Sequence, residues 1–153
     1  MTSVTKRLLK ELQDIRKEPG EGIVCLEPKN DDDILQWRAV LQGPQGTPYY
    51  GGEFELHISI PEQYPIKPPT LTFITPVCHP NIHFETGEIC LDILKAQWSP
   101  AWTLASTCLA IRILLANPEP SSPLNCDAAN LLRCNDPVGY SSLAAYYTRL
   151  FAM

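Results

Sequence analysis

The sequence predicts an α+β fold, a four-stranded antiparallel meander sheet with an N-terminal helix, a central helix and C-terminal helices, folded as a single domain over residues 1–153. Three observations carry this reading. Phe54, Leu56, Ile58 and Ile60 alternate with Glu53, Glu55, His57 and Ser59, the period of a strand with one face buried and one wet. The turn Gly43-Pro44-Gln45-Gly46-Thr47-Pro48 and the pair Gly51-Gly52 leave short connections, which join antiparallel neighbours and cannot make a parallel crossover. From Leu104 to Ala116 the apolar residues are dense enough to mark a buried, central helix.

The first helix is expected over residues 3–17, where Val4, Leu8, Leu12 and Ile15 form one stripe, with Leu9 beside it and charges elsewhere. Pro19-Gly20 ends it. Four extended segments follow at about 22–27, 34–42, 52–60 and 70–75, each bounded by Gly, Pro or Asp clusters. His57 falls on the polar side of the third and is expected at the surface. After Thr75-Pro76 the period is lost for almost 30 residues, long for a structureless segment in a compact domain and therefore a candidate functional loop. Asn117-Pro118-Glu119-Pro120 stops the central helix, and helical segments at about 124–133 and 137–151 finish the chain without repeats or low-complexity tracts.

A length of 153 residues suits one domain with a real core. Net charge of −5 and a pI near 5.1 give no overall basic field for a polyphosphate, so nucleic acid is excluded as the main partner. Charge is uneven along the chain. Five of the 12 basic residues (Lys6, Arg7, Lys10, Arg16, Lys17) lie in the first helix, which makes its outer face either a solvated surface or a docking surface. The six cysteines (25, 78, 90, 108, 126, 134) contain no CxxC pair, and no signal-peptide or bilayer-spanning pattern is seen. Reduced thiols, a cytosolic setting and no direct membrane insertion are the expectation.

The candidate chemistry centres on Cys90, within His79-Pro80-Asn81-Ile82-His83-Phe84-Glu85-Thr86-Gly87-Glu88-Ile89-Cys90-Leu91-Asp92. A cysteine between Ile and Leu is read either as a small buried hydrophobe or as an acyl carrier. A protease-type pair needs a histidine base. His79, held extended before Pro80, is better suited to bracing the loop. A zinc site from Cys78, His79, His83 and Cys90 matches no standard ligand spacing, so no metal or other cofactor is expected. Glu88 and Asp92 flank Cys90 and favour the neutral thiol, against a redox role. Thioester exchange remains. It needs a positioned thiol rather than a strong base, and a donor for the oxyanion, for which Asn81 is the candidate. The other role for Asn81 is to order its loop by bonding backbone groups.

These residues resemble the ubiquitin-conjugating enzyme family over almost the whole chain. The resemblance runs from the basic first helix through Gly43-Pro44…Thr47-Pro48-Tyr49…Gly51-Gly52, Tyr64-Pro65…Pro68-Pro69, His79-Pro80-Asn81 and Gly87…Ile89-Cys90-Leu91-Asp92-Ile93-Leu94 to Trp98-Ser99-Pro100-Ala101-Trp102. It implies that Cys90 carries ubiquitin as a thioester received from the activating enzyme and that Asn81 serves the oxyanion or orders its loop. It also implies that Lys6, Arg7 and Lys10 meet the activating enzyme and RING-type ligases, that Ile66, Pro100 and Ala101 form the two-loop ligase surface, and that Leu109 and Ile113 form the platform for the conjugated ubiquitin. A non-catalytic ubiquitin-binding module of the same fold is the competing class, and such relatives typically lack the thiol.

Two departures bear on the acceptor. Eight residues separate Asn81 from Cys90 where many relatives have seven, which is expected to reshape the loop and bring His83 toward the incoming nucleophile. Ser122 stands where lysine-modifying relatives often place an Asp. A narrower resemblance, to the peroxisomal ubiquitin-conjugating peroxins of yeasts, rests on the extra loop residue, Thr86-Gly87-Glu88-Ile89-Cys90-Leu91, Trp98 with Trp102, and Asn130-Leu131-Leu132-Arg133-Cys134. It implies a place at the cytosolic periphery of the peroxisomal membrane, through a membrane-anchored peroxin, with peroxisomal import receptors as substrates. A general cytosolic ubiquitin-conjugating enzyme is the alternative.

Overall fold

The computed structural model describes residues 1–153. Helix α1 (Ser3–Lys17) is followed by strands β1 (Ile23–Pro28), β2 (Gln36–Gln42), β3 (Glu53–Ser59) and β4 (Thr70–Phe73). Helices α2 (Leu104–Ala116), α3 (Cys126–Arg133) and α4 (Pro137–Phe151) complete the chain, and no helix is long and apolar enough to cross a membrane. The sheet is an antiparallel meander in the order β1-β2-β3-β4, in which Leu56 pairs with Ala39 on one side and Phe73 on the other. Phe54, Leu56 and Ile58 are fully buried, as their alternation predicts.

Two residues depart from the periodic reading. His57 is half-buried rather than surface-exposed. Arg38 and Thr72 flank it across the strands, its Nδ1 is enclosed without a hydrogen-bond partner, and burial, then Lys29, lowers its pKa. Glu11, one of the charges expected to face solvent on α1, is instead 5% exposed, while Leu9 is 37% exposed.

The core lies between one face of the sheet and α1 and α2, with Trp37, Tyr49, Phe54 and Tyr64 among its largest enclosed side chains. Each helix starts on a side-chain cap: Thr2, Thr103, Asn125 and Asp136 accept from the first-turn amides of α1, α2, α3 and α4. Helix α4 is tied to the sheet where the Glu53 amide donates to the Ala152 carbonyl (2.9 Å). Tyr49 bonds both the Cys78 carbonyl and the Tyr140 hydroxyl (2.6 Å each), joining the start of the long irregular segment to α4.

That segment, between β4 and α2, contains isolated bridges His79–Ile82 and Ile82–Ile89 and a single 3-10 turn at Asp92–Leu94. It is ordered by hydrogen bonds rather than by a repeating pattern. Gly87 is a required glycine: its φ is +77°, and a Cβ there would lie 2.0 Å from the Phe73 carbonyl oxygen of β4. The His79 ring spans the segment and α2. Its Nε2 pairs with the Leu114 carbonyl (2.8 Å), and its Nδ1 accepts from the Asn81 amide (3.0 Å), which defines a neutral ring protonated at Nε2.

Burial pushes His79 down to about 4, whereas in the unfolded chain it titrates near 6.5. The stability due to its neutral form is therefore complete above about pH 6.5 and is lost as pH falls toward 4, on the order of 3 kcal/mol in all. Urea unfolding across pH 4 to 7 is expected to show this slope. A His79→Gln chain is expected to be less stable at pH 7 and flatter through that window; an unchanged slope would remove His79 as its source.

Candidate active site

The clamp around Cys90 begins with backbone geometry. The Cys90 amide donates to the Asn81 carbonyl (2.9 Å), so the thiol-bearing residue and the asparagine are neighbours despite the eight residues between them. Those eight close as a short hairpin in which the His83 amide donates to the Glu88 carbonyl and the Gly87 amide returns to the His83 carbonyl (2.9 Å each). Cys90 itself is half-buried, whereas Cys78 and Cys108 are buried and burial raises them to about 11 and about 12. Cys126 and Cys134 are exposed. Among the cysteines, Cys90 combines partial exposure with a backbone fixed at the mouth of a built loop.

Asn81 is 1% exposed and uses its whole amide to hold the segment that follows α2. Its Oδ1 accepts from the Glu119 amide (2.8 Å), and its Nδ2 donates to the carbonyls of Glu119 (2.8 Å) and Ser122 (3.0 Å). Both amide protons are thus committed. The Pro80 carbonyl adds bonds from the Leu124 and Asn125 amides (2.8 and 3.1 Å), and the Arg133 guanidinium holds the Pro120 carbonyl from α3. Residues 119–125 are therefore pinned to Pro80 and Asn81, the residue whose carbonyl holds the Cys90 amide, although they have no regular structure of their own.

Glu119, which sequence reasoning did not single out, presents an exposed carboxylate in this pinned segment. The Ser121 hydroxyl (2.6 Å), then its amide, holds that carboxylate below its usual range. Ser122 contributes its backbone carbonyl to Asn81.

His83 caps the hairpin turn, its Nδ1 accepting from the Glu85 and Thr86 amides (3.2 and 3.1 Å). It also lines a groove of about 460 Å³ with Phe84, Leu124, Asn125 and Tyr147, whose walls do not include Cys90. Phe84 packs on Tyr147 (ring centroids 4.9 Å) and Phe151 (6.3 Å), so α4 supports the hairpin from behind. The sequence offered no periodic signal for Phe84.

The remaining expected positions lie on two surfaces. Lys6 and Lys10 are exposed on α1 and form no ion pair. Arg7 differs, because its guanidinium is bonded within the chain to Glu11 (2.8 Å) and to the Pro100 and Trp102 carbonyls (3.0 and 2.9 Å). Ile66 is 75% exposed, and Pro100 and Ala101 are exposed on the neighbouring loop. The two loops are joined by the Trp98 indole, which donates to the Pro65 carbonyl (2.9 Å). On α2, Ile113 projects into solvent at 63% exposure while Leu109 packs partly against the core.

Comparison with known proteins places this arrangement. Residues 7–148 match the family model described as ubiquitin-conjugating enzyme. The chain is 52% identical to "Protein PEROXIN-4" of Arabidopsis thaliana over 157 aligned residues, covering 100% of this chain and 98% of the relative. It is 52% identical to "Ubiquitin-conjugating enzyme E2 pex4" of Dictyostelium discoideum, covering 95% and 97%. Among solved structures, H. polymorpha Pex4p, crystallised with the soluble domain of Pex22p, superimposes with a TM-score of 0.94 at 41% identity, covering 99% of each chain. With a family model over most of its length and full-length relatives at half identity, the chain belongs to the ubiquitin-conjugating enzyme family and is an enzyme of that family similar to its peroxin-4 members.

Proposed function

We propose that Cys90 accepts ubiquitin from the activating enzyme and passes it to a protein at the peroxisomal membrane. The observation that carries this reading is the half-exposed Cys90 whose amide is tied to Asn81 while the Asn81 side chain pins the segment that follows α2. In the loading step the Cys90 sulfur attacks the thioester carbonyl of the charged activating enzyme. The new C–S bond forms as the old one breaks, and the Cys90 proton passes to the departing thiolate. One thioester replaces another, so the step is nearly thermoneutral and needs no strong base. In the second step an amine or thiol attacks the Cys90 thioester, the C–S bond to Cys90 breaks, and the acceptor's proton is transferred to the Cys90 sulfur.

Ubiquitin, the activating enzyme and RING-type ligases are the partners this chemistry requires. Lys6 and Lys10 on α1, with Ile66, Pro100 and Ala101 on the paired loops, serve as their docking positions, and Ile113 with Leu109 as the donor-ubiquitin platform. The names of the peroxin-4 relatives and the Pex22p complex of the H. polymorpha protein support a membrane-anchored peroxin as partner and peroxisomal import receptors as substrates. A cytosolic enzyme held at the membrane periphery by such a partner needs no spanning helix.

Loading separates an enzyme from a binding module. With activating enzyme, ATP and ubiquitin, the chain is expected to acquire an adduct removed by thiol reductant, and Cys90→Ser to acquire none that is reducible. A reducible adduct on Cys90→Ser would refute the assignment.

For Asn81, the saturated amide supports loop ordering, with any oxyanion contact requiring release of the Glu119 or Ser122 carbonyl. Removing it strands three backbone groups, so Asn81→Ala is expected to lose about 1–3 kcal/mol of stability in urea unfolding. Its loading should stay within about threefold while discharge to an amine falls about 10²-fold, the scale of a displaced positioning segment. Equal losses in loading and discharge would contradict this division.

The acceptor is read from position 122. Ser122 brings no carboxylate to desolvate or orient an amine whose pKa is near 10.4, and thiols are the better nucleophiles at neutral pH. Single-turnover discharge is therefore expected to be faster to free cysteine than to free lysine, with Ser122→Asp raising the lysine rate. A specific observation favours a second reading, in which the exposed Glu119 carboxylate serves the amine instead. Lysine discharge faster than cysteine discharge, and lost in Glu119→Gln, would establish that reading in place of the first.

A further inference from the structure

Glu11 is the buried carboxylate that the proposed chemistry leaves unused, and it joins three parts of the chain. Its Oε2 accepts from the Tyr64 hydroxyl (2.6 Å) and from Arg7 Nε (2.8 Å). Its Oε1 accepts from the Leu104 amide (2.7 Å), the first residue of α2, where the helix dipole also favours negative charge. Arg7 extends the network. Its guanidinium lies over the Tyr64 ring (5.6 Å) while Nη2 holds the Pro100 and Trp102 carbonyls. Tyr64 begins the loop that presents Ile66, and the Trp98 indole closes the circuit by bonding the Pro65 carbonyl.

The chemistry of this network points to geometry rather than stability. Burying a charged pair gains little over apolar packing, because desolvation offsets the attraction. What a carboxylate does that a leucine does not is fix directions. It aims one oxygen at Tyr64 and Arg7 and the other at the start of α2, so the Ile66 loop and the Pro100–Ala101 loop are set against the same helix. The exposed apolar residues Ile66, Pro100 and Ala101 then stand at a spacing determined beneath them. An exposed apolar pair of loops on a rigid polar footing suits a groove on a folded partner, where pre-organisation adds affinity that contact area alone does not.

We infer that Glu11 is a positioning residue for ligase docking, holding the Ile66 and Pro100–Ala101 loops in register for a RING domain; this rests on the proposed ligase role of those loops. Arg7 acts with it from within the chain, so its main contribution to docking is to shape the surface rather than to touch the partner.

The test uses the full chain, charged beforehand with ubiquitin on Cys90 and discharged to free cysteine with rising concentrations of isolated RING domains, beginning with those that accelerate the wild type. Glu11→Gln is expected to raise the half-stimulating RING concentration about tenfold, the scale of a displaced interface anchor. Discharge without RING and the maximal stimulated rate should stay within about twofold, a split that general destabilisation would not produce. Tyr64→Phe removes one bond while leaving the charge and the fold, and keeps the test decisive if Glu11→Gln folds poorly; it is expected to shift the same concentration about threefold. Unchanged half-stimulating concentrations in the two variants, or unstimulated and stimulated discharge falling together, would overturn the inference. If the wild type charges normally but no RING domain accelerates it, the inference fails with the ligase surface while Cys90 loading stands. If the wild type does not charge at all, the enzyme reading fails first and takes the inference with it.

Discussion

Asn81 is the constraint on which the Cys90 face depends. One residue bonds the Cys90 amide with its backbone and residues 119 and 122 with its amide, while its own amide is held by His79. Without that set, the hairpin bearing Cys90 and the segment beyond α2 would keep the bonds of the Pro80 carbonyl to Leu124 and Asn125 but lose the amide clamp that fixes residues 119 and 122. Loops without regular structure must still satisfy their backbone groups, and here a single buried amide satisfies three of them. The neighbouring His79 passes the constraint to Leu114 at the end of α2, so the thiol is referenced to the central helix rather than to solvent-exposed loop backbone.

A second frame lies at the opposite end of the same helix. Glu11 bonds the first amide of α2 and His79 the carbonyl of Leu114 near its last turn, so α2 is gripped at both ends by buried polar side chains from elsewhere in the chain. Between them the helix is almost wholly apolar and packs on the sheet, with Ile113 left outside. The Ile66 and Pro100–Ala101 loops and the Cys90 loop are therefore both measured from one rigid rod. Such an arrangement gives fixed relative positions at low conformational cost when a partner binds, without requiring that either end move.

Much of the scaffold was legible in the sequence because it obeys a period. Strand β3 alternates since one of its faces meets the core and the other does not, and α1 shows its stripe for the same reason. The failures were residues whose surroundings come from far along the chain. Glu11 sits at a position that α1 alone reads as polar, but its partners Tyr64 and Leu104 are 53 and 93 residues away. His57 looks wet within β3 and becomes half-buried only between its neighbours on β2 and β4. In the candidate site, Cys90 and Asn81 were found by chemistry and motif. Phe84 and Glu119 were missed because aromatic support from α4 and a backbone amide pinned across 38 residues leave no local pattern.

In the proposed mechanism, the same frame makes the acceptor, rather than the loading of the thiol, the step where this chain's own residues matter most. Thioester exchange exchanges like bonds, and a held thiol suffices for it. Transfer to an amine is different, since a protonated lysine must lose its proton beside the thioester, and the segment from 119 to 122 is where the chain can influence that loss. Asn81 fixes this segment by its backbone, which leaves its side chains free to vary without disturbing the clamp. Ser122 and Glu119 are both held through their backbones but opposite in side-chain chemistry: a neutral hydroxyl that leaves an amine protonated, and, three residues upstream, a carboxylate that Ser121 holds below its usual range. A clamp that acts on carbonyls and amides separates the architecture of the site from its choice of nucleophile, so that one fold accommodates either acceptor by changing a side chain the clamp never touches.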